Sequence, residues 1–91
     1  MPRMKYTVNK QNSSFRILDG EAVIISSETS YYYSLNKTGT FIWNLLLKEE
    51  KTLEEIVEKV SSHYEQANEA ITDKIAELLE DLVREKLVDQ R

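Results

Sequence analysis

The 91-residue chain contains no cysteine. That excludes disulfides, thiolate metal sites and a cysteine nucleophile. It has one histidine, His63, and a single imidazole without thiolates is too small a ligand set for zinc or iron. Its two glycines and one proline all precede residue 41. Uninterrupted apolar runs reach only three or four residues, far short of the ~20 that a membrane-spanning helix needs. Met1 to Lys10 lacks the apolar stretch of a secretory signal. Positive charge is also in deficit: 12 Lys and Arg stand against 16 Asp and Glu, for a net charge of −4. Binding to DNA or RNA phosphates rests on clustered cations, so nucleic acid is not the expected partner.

What remains is an ordinary globular balance, 31% charged and 41% hydrophobic. The length fits one domain, residues 1–91, with little room for both a core and a deep catalytic cavity. A cytoplasmic domain without membrane attachment is expected, and no enzyme.

The chain divides near Asn36. In the first half, Phe15-Arg16-Ile17-Leu18 and Glu21-Ala22-Val23-Ile24-Ile25 flank Asp19-Gly20, a pair suited to the positive φ angles of a two-residue hairpin. Such a turn sets Ile17 opposite Ala22 and Phe15 opposite Ile24, and these four are assigned to the core face. Ser26 to Ser30 form a polar connector. Tyr31-Tyr32-Tyr33-Ser34-Leu35 follow as a third strand, with Tyr31, Tyr33 and Leu35 on one side and Tyr32 and Ser34 on the other. Lys5 to Asn9 offer a further short strand.

The second half is helical. Asn36 or Thr38 can cap a first helix carrying Phe41, Ile42, Trp43, Leu45 and Leu46. Thr52-Leu53-Glu54-Glu55 reads as a capping box. It opens a second helix with apolar Leu53, Ile56, Val57, Val60 and Tyr64. A third starts near Asn68 and carries Ile71, Ile75, Leu78, Leu79 and Leu82 as one stripe. Leu87 and Val88 close the core. The fold class is therefore α+β: a three-stranded antiparallel sheet followed by three helices, a winged helix-turn-helix with its wing placed first.

Groups that could do chemistry are sparse. His63, near a helix C-terminus, suits a surface role that complements the helix dipole. The carboxylates are interleaved with cations in the manner of a solvated face, and no Glu-x-x-His pair of a di-metal site is present. Gly39 alone makes no phosphate-binding loop and reads as a small residue at a strand-to-helix turn. No cofactor or metal is expected. A DNA-binding winged helix would use the third helix, yet Glu69, Asp73, Glu77, Glu80, Asp81 and Glu85 outnumber Lys74, Arg84 and Lys86 there. The triple tyrosine is the most unusual feature. Alternate rings can enter the core, which leaves an aromatic edge strand that is a hazard unless covered or used, and an extended peptide can use it by adding a strand.

The segments Gly20 to Ile25, Tyr31-Tyr32-Tyr33-Ser34-Leu35-Asn36-Lys37-Thr38-Gly39-Thr40-Phe41-Ile42-Trp43, Lys51 to Val57, and Leu79, Leu82 and Lys86-Leu87-Val88 resemble the PqqD family. The Leu-Asn-x-Thr-Gly-x-x-Ile-Trp stretch is the most specific part. The resemblance covers residues 15–88. It implies a recognition element for ribosomally synthesised precursor peptides, standing alone without a fused enzyme. It also implies that the leader segment adds as a strand beside Tyr31 to Leu35, in the groove between that strand and the third helix. On this basis the peptide-binding residues are Tyr31, Tyr32, Tyr33, Ser34, Leu35, Lys74, Ile75, Leu78 and Asp81, with Ile75 and Leu79 as an apolar floor. The implied partners are a leader peptide and a modifying enzyme: a radical-SAM enzyme, a leader peptidase or a cyclase, in the coenzyme PQQ, lasso-peptide or a related pathway. The chain itself is expected as a monomer or weak homodimer. A DNA-binding regulator and an oligomerising module using the same sheet edge are the alternatives.

Overall fold

In the computed structural model, residues 4–65 and 68–91 are described. The elements run β1 (Lys5–Val8), β2 (Ser13–Leu18), β3 (Glu21–Ser26), β4 (Tyr32–Ser34), α1 (Lys37–Lys48), β5 (Lys51–Thr52), α2 (Leu53–Tyr64), α3 (Asn68–Arg84) and β6 (Val88–Gln90). The expected wing is the antiparallel sheet β2-β3-β4. A second small sheet, β5-β1-β6, ties the two ends of the chain together around β1. The segment from Lys5 supplies its central strand, and Val88 joins it from the other end.

The hairpin forms as its turn chemistry dictates. Asp19 and Gly20 take φ values of 54° and 79°, and Phe15 pairs with Ile24 and Ile17 with Ala22. Burial departs from expectation, however. Ala22 and Ile24 are fully buried, whereas Phe15 and Ile17 are 38% and 45% exposed. The helices cover β3 and stop short of β2, so β2 overhangs the core. Phe15 is anchored only at one edge, by a T-shaped contact with Trp43 at 5.9 Å.

The regular part of the third strand is also shorter than expected. β4 spans Tyr32–Ser34, with Tyr31 and Leu35 just outside it. Both flanking residues still bond β3: Ser26 N–H donates to Tyr31 C=O at 3.0 Å and Leu35 N–H to Ala22 C=O at 2.8 Å. Ser26, expected in a polar connector, instead ends β3 and is buried.

The helices α1 and α2 begin where their caps predict. The Asn36 side chain accepts from Gly39 N–H at the start of α1. Thr52 and Glu55 complete a reciprocal capping box on α2. The core combines Ala22, Ile24 and Leu35 from the wing with Ile42, Trp43 and Leu46 of α1, Ile56, Val57 and Val60 of α2, and Ile75, Leu79 and Leu82 of α3, closed by Leu87 and Val88. Within α1 the deeply buried leucine is Leu46; Leu45, expected in the core, is only half-buried.

Candidate functional site

The sheet order leaves β4 at an edge, with β3 its partner. In an antiparallel ladder, pairs that exchange backbone bonds alternate with pairs that do not. The bonds at Ser26–Tyr31 and Ala22–Leu35 fix the phase, so Tyr33, opposite Ile24, also turns its backbone toward β3. Tyr32 and Ser34 therefore direct their N–H and C=O groups outward. Among the described residues these groups have no partner.

Beside this edge lies an open groove of about 470 Å³, between the β4–α1 junction and α3. Its rim on the strand side is Tyr33, Ser34 and Leu35. Asn36, Thr38, Gly39 and Tyr64 line one end, and the buried Ile42 and Val60 the deeper part. Ile71, Lys74, Ile75 and Leu78 form the α3 wall. The apolar lining follows from helix periodicity. Ile71, Ile75 and Leu78 recur at three and four residues, so they share one face of α3.

The junction is held by a few polar contacts. The buried Thr40 hydroxyl accepts from Ala22 N–H at 2.8 Å and donates to Leu35 C=O at 3.4 Å, joining β3, the end of β4 and α1. A Cβ at Gly39 would lie 3.2 Å from both Cβ and Cδ2 of Leu35. The small residue therefore permits close approach of helix and strand; its φ is not positive. Tyr64 OH donates to Lys37 C=O at 3.4 Å across the top of α1.

At the Tyr33 end, the Tyr33 hydroxyl donates to Asp81 Oδ2 at 3.2 Å, and Arg84 pairs with the same carboxylate. Partial burial, followed by the nearby Asp81 charge, raises the Tyr33 phenol above its ordinary value of 10.0.

The residues expected to form the site are thus brought together unevenly. Tyr33, Ser34, Leu35, Lys74, Ile75 and Leu78 line one groove. Leu78 serves both roles, half-buried against the core and facing the groove. Leu79 is wholly buried in the core and does not reach the groove. Asp81 lies outside the lining and is already engaged by Tyr33 and Arg84. Lys74 is exposed, without an ion pair among the described residues. Tyr31 and Tyr32 are 70% and 73% exposed and stand outside the groove. By sequence Ile42, Val60, Tyr64 and Ile71 read as core positions alone; their periodicity shows an inward face, and only the packing of α1, α2 and α3 shows which part of that face stays open. His63, at the end of α2, stacks on Phe41 at 4.4 Å, away from the groove lining. Among the described residues, no cluster of His, Asp and Glu could hold a metal ion, and no helix is long and apolar enough to cross a membrane.

No curated relative matches the sequence. Among solved structures, the fold is similar to one described as "TbiB1 in Complex with the TbiA(beta) Leader Peptide", with a TM-score of 0.80 and 24% identity over 91% of this chain and 94% of the other. At that identity the likeness establishes the fold. Residues 21–88, from the start of β3 through the first residue of β6, match the family described as "Coenzyme PQQ synthesis protein D (PqqD)", and the chain therefore belongs to the PqqD family.

Proposed function

We propose that this chain is an accessory peptide-binding module, without catalytic activity or cofactor of its own, that captures the leader segment of a ribosomally synthesised precursor peptide. The guest enters as an added strand along β4 and is delivered to a modifying enzyme. The observation that carries this reading is the outward-facing backbone of Tyr32 and Ser34 beside an apolar groove. Strand addition needs both parts: main-chain donors and acceptors for affinity, and an adjacent hollow for alternate side chains. Family membership and the TbiB1 fold, seen in complex with a leader peptide, support it.

In this reading Tyr31 to Leu35 are the docking strand, and Ile75 and Leu78 the greasy wall. Lys74, without an ion pair among the described residues, meets an acidic guest residue. Asp81 acts mainly through Tyr33, holding its ring in place. The acidic α3 surface disfavours the winged-helix alternative of DNA binding. The receiving enzyme belongs to a coenzyme PQQ, lasso-peptide or radical-SAM pathway, encoded by the genes beside this one.

The test is titration of the isotope-labelled full chain with leader peptides encoded beside its gene. Micromolar or tighter affinity is expected, with amide shifts at Tyr31–Leu35 and along α3. Shifts confined to the β5-β1-β6 sheet would sink the proposal.

A further inference from the structure

The wing has a second open edge, β2, across the sheet from β4. Its pairing with β3 is unbroken from Ser13–Ser26 to Leu18–Glu21. Ser27 N–H donates to Asn12 C=O at 2.7 Å, in phase with this register. By the alternation of antiparallel ladders, Ser14, Arg16 and Leu18 bond β3, while Ser13, Phe15 and Ile17 direct their backbone groups outward. Among the described residues those groups have no partner.

Exposed edges are normally blunted by proline, lysine, a bulge, an inward-pointing charge or a covering loop. β2 has no proline or lysine and no bulge in its register. Its one charge, Arg16, pairs with Val23 on the opposite face from Phe15 and Ile17. Phe15 and Ile17 lie on the sheet face that the helices bury at Ala22 and Ile24 of β3 but leave open at β2, and both are substantially exposed. Beside Phe15 lies a hollow of about 320 Å³, lined by Val8, Phe15 and Leu47 together with Lys10, Ser13 and Ser14.

These features complement one another across a two-fold axis. We propose that β2 is a self-association edge, to which β2 of a second copy of this chain adds antiparallel about an axis at Phe15. In that register Ile17 of one copy lies opposite Ser13 of the other, on the same face, at the mouth of the hollow. Directly opposed side chains are ~5 Å apart, within reach of packing. The symmetry fills both hollows at once and closes the contact. It also sets Arg16 against Ser14 of the other copy. An axis at Arg16 would instead oppose two like charges, which is unfavourable. The product is one continuous six-stranded sheet with a free β4 edge at each end. A contact of one strand and two apolar knobs falls well below a standard interface, so association is weak and concentration-dependent.

Sedimentation of the full chain from micromolar to millimolar concentration tests this. The average mass is expected to rise from 10.6 kDa toward twice that value. Amide exchange should slow with concentration at Ser13, Phe15 and Ile17, while Ser14, Arg16 and Leu18, already bonded to β3, stay unchanged. Ile17→Lys places a charge at the mouth of the hollow. It should remain monomeric throughout, with its melting transition and its groove peptide binding preserved. A mass that stays monomeric at every concentration overturns the proposal, as does Ile17→Lys that associates like the parent. Concentration-dependent protection at Tyr32 and Ser34 in place of the β2 amides also overturns it. The exchange pattern is read on the unmodified protein and does not depend on how the variant folds.

Discussion

The hydroxyl of Tyr33 on β4 donates to the carboxylate of Asp81 on α3 at 3.2 Å, across 48 residues of sequence. This bond spans from the edge strand β4 to α3, the helix that walls the groove. It fixes the ring of Tyr33, and through it the spacing of strand and helix at that end.

The bond predicts an alkaline signature. The folded-state phenol titrates above the ordinary value of 10.0. Folding therefore favours the protonated form. The contribution is fully present below the unfolded value and is lost as pH rises through the folded one. Denaturant unfolding of the parent and Tyr33→Phe at several pH values should show the parent's advantage at neutral pH, shrinking above about pH 10. An advantage that grows with alkalinity would contradict the assignment.

Backbone phase predicts an alternating proline pattern. Tyr32→Pro and Ser34→Pro each delete a donor that faces outward, leaving the β3 ladder intact. Each should weaken leader-peptide binding by roughly two- to tenfold, the equivalent of one net hydrogen bond, with little loss of helical signal. Tyr33→Pro removes a donor to β3 and should instead destabilise the wing. Leu46→Ala serves as the control: its buried side chain leaves a cavity costing about 2–5 kcal/mol. Its effect on binding, measured by calorimetry, should vanish at temperatures where it remains folded.

Gly39 predicts an overpacking penalty at the groove end. Alanine would gain up to about 1 kcal/mol of helix propensity. Its Cβ, though, would sit 3.2 Å from two carbons of Leu35, itself buried, and overpacking costs about 1–3 kcal/mol. Gly39→Ala should therefore lower stability on balance and shift the amides of Leu35 and its groove neighbours. A stabilised variant with unchanged spectra would show that Leu35 yields freely.

The capping box predicts an acid signature. Glu55 accepts from Thr52 N–H at 2.8 Å, and chiefly that bond holds its carboxyl below the ordinary value of 4.5. The associated stability is present above the unfolded value and is lost as pH falls through the folded one. Glu55→Gln keeps the reach but removes the titration. Its stability should fall less steeply than the parent's between about pH 5 and 3.

Much of the fold is legible locally. Asp19-Gly20 specifies the hairpin and its register because few other residues accept two positive φ values in succession. Asn36 and Thr52 mark helix starts because their side chains answer unpaired amides within three residues. The stripe from Ile71 to Leu82 announces an inward face through its period alone. Each of these signals acts over a few residues, so each survives in one dimension.

The groove is less legible. Ile42, Val60 and Ile71 read as core in periodicity, and they are inward-facing, yet they also floor an open cleft because β4 is an edge strand and α3 stands off from it. Phe15 and Ile17 alternate correctly for burial and remain exposed, because no helix extends far enough to cover β2. Asp81 looks like a free surface charge until Tyr33 is brought within hydrogen-bond distance of it. Periodicity tells which side of an element faces inward, but whether anything stands opposite depends on the lengths and angles of elements distant in the chain. The sequence by itself determined the wing hairpin and its register, the three helices and the family; only the tertiary structure decided the second sheet and which inward faces are sealed and which stay open, because both depend on elements distant in the chain.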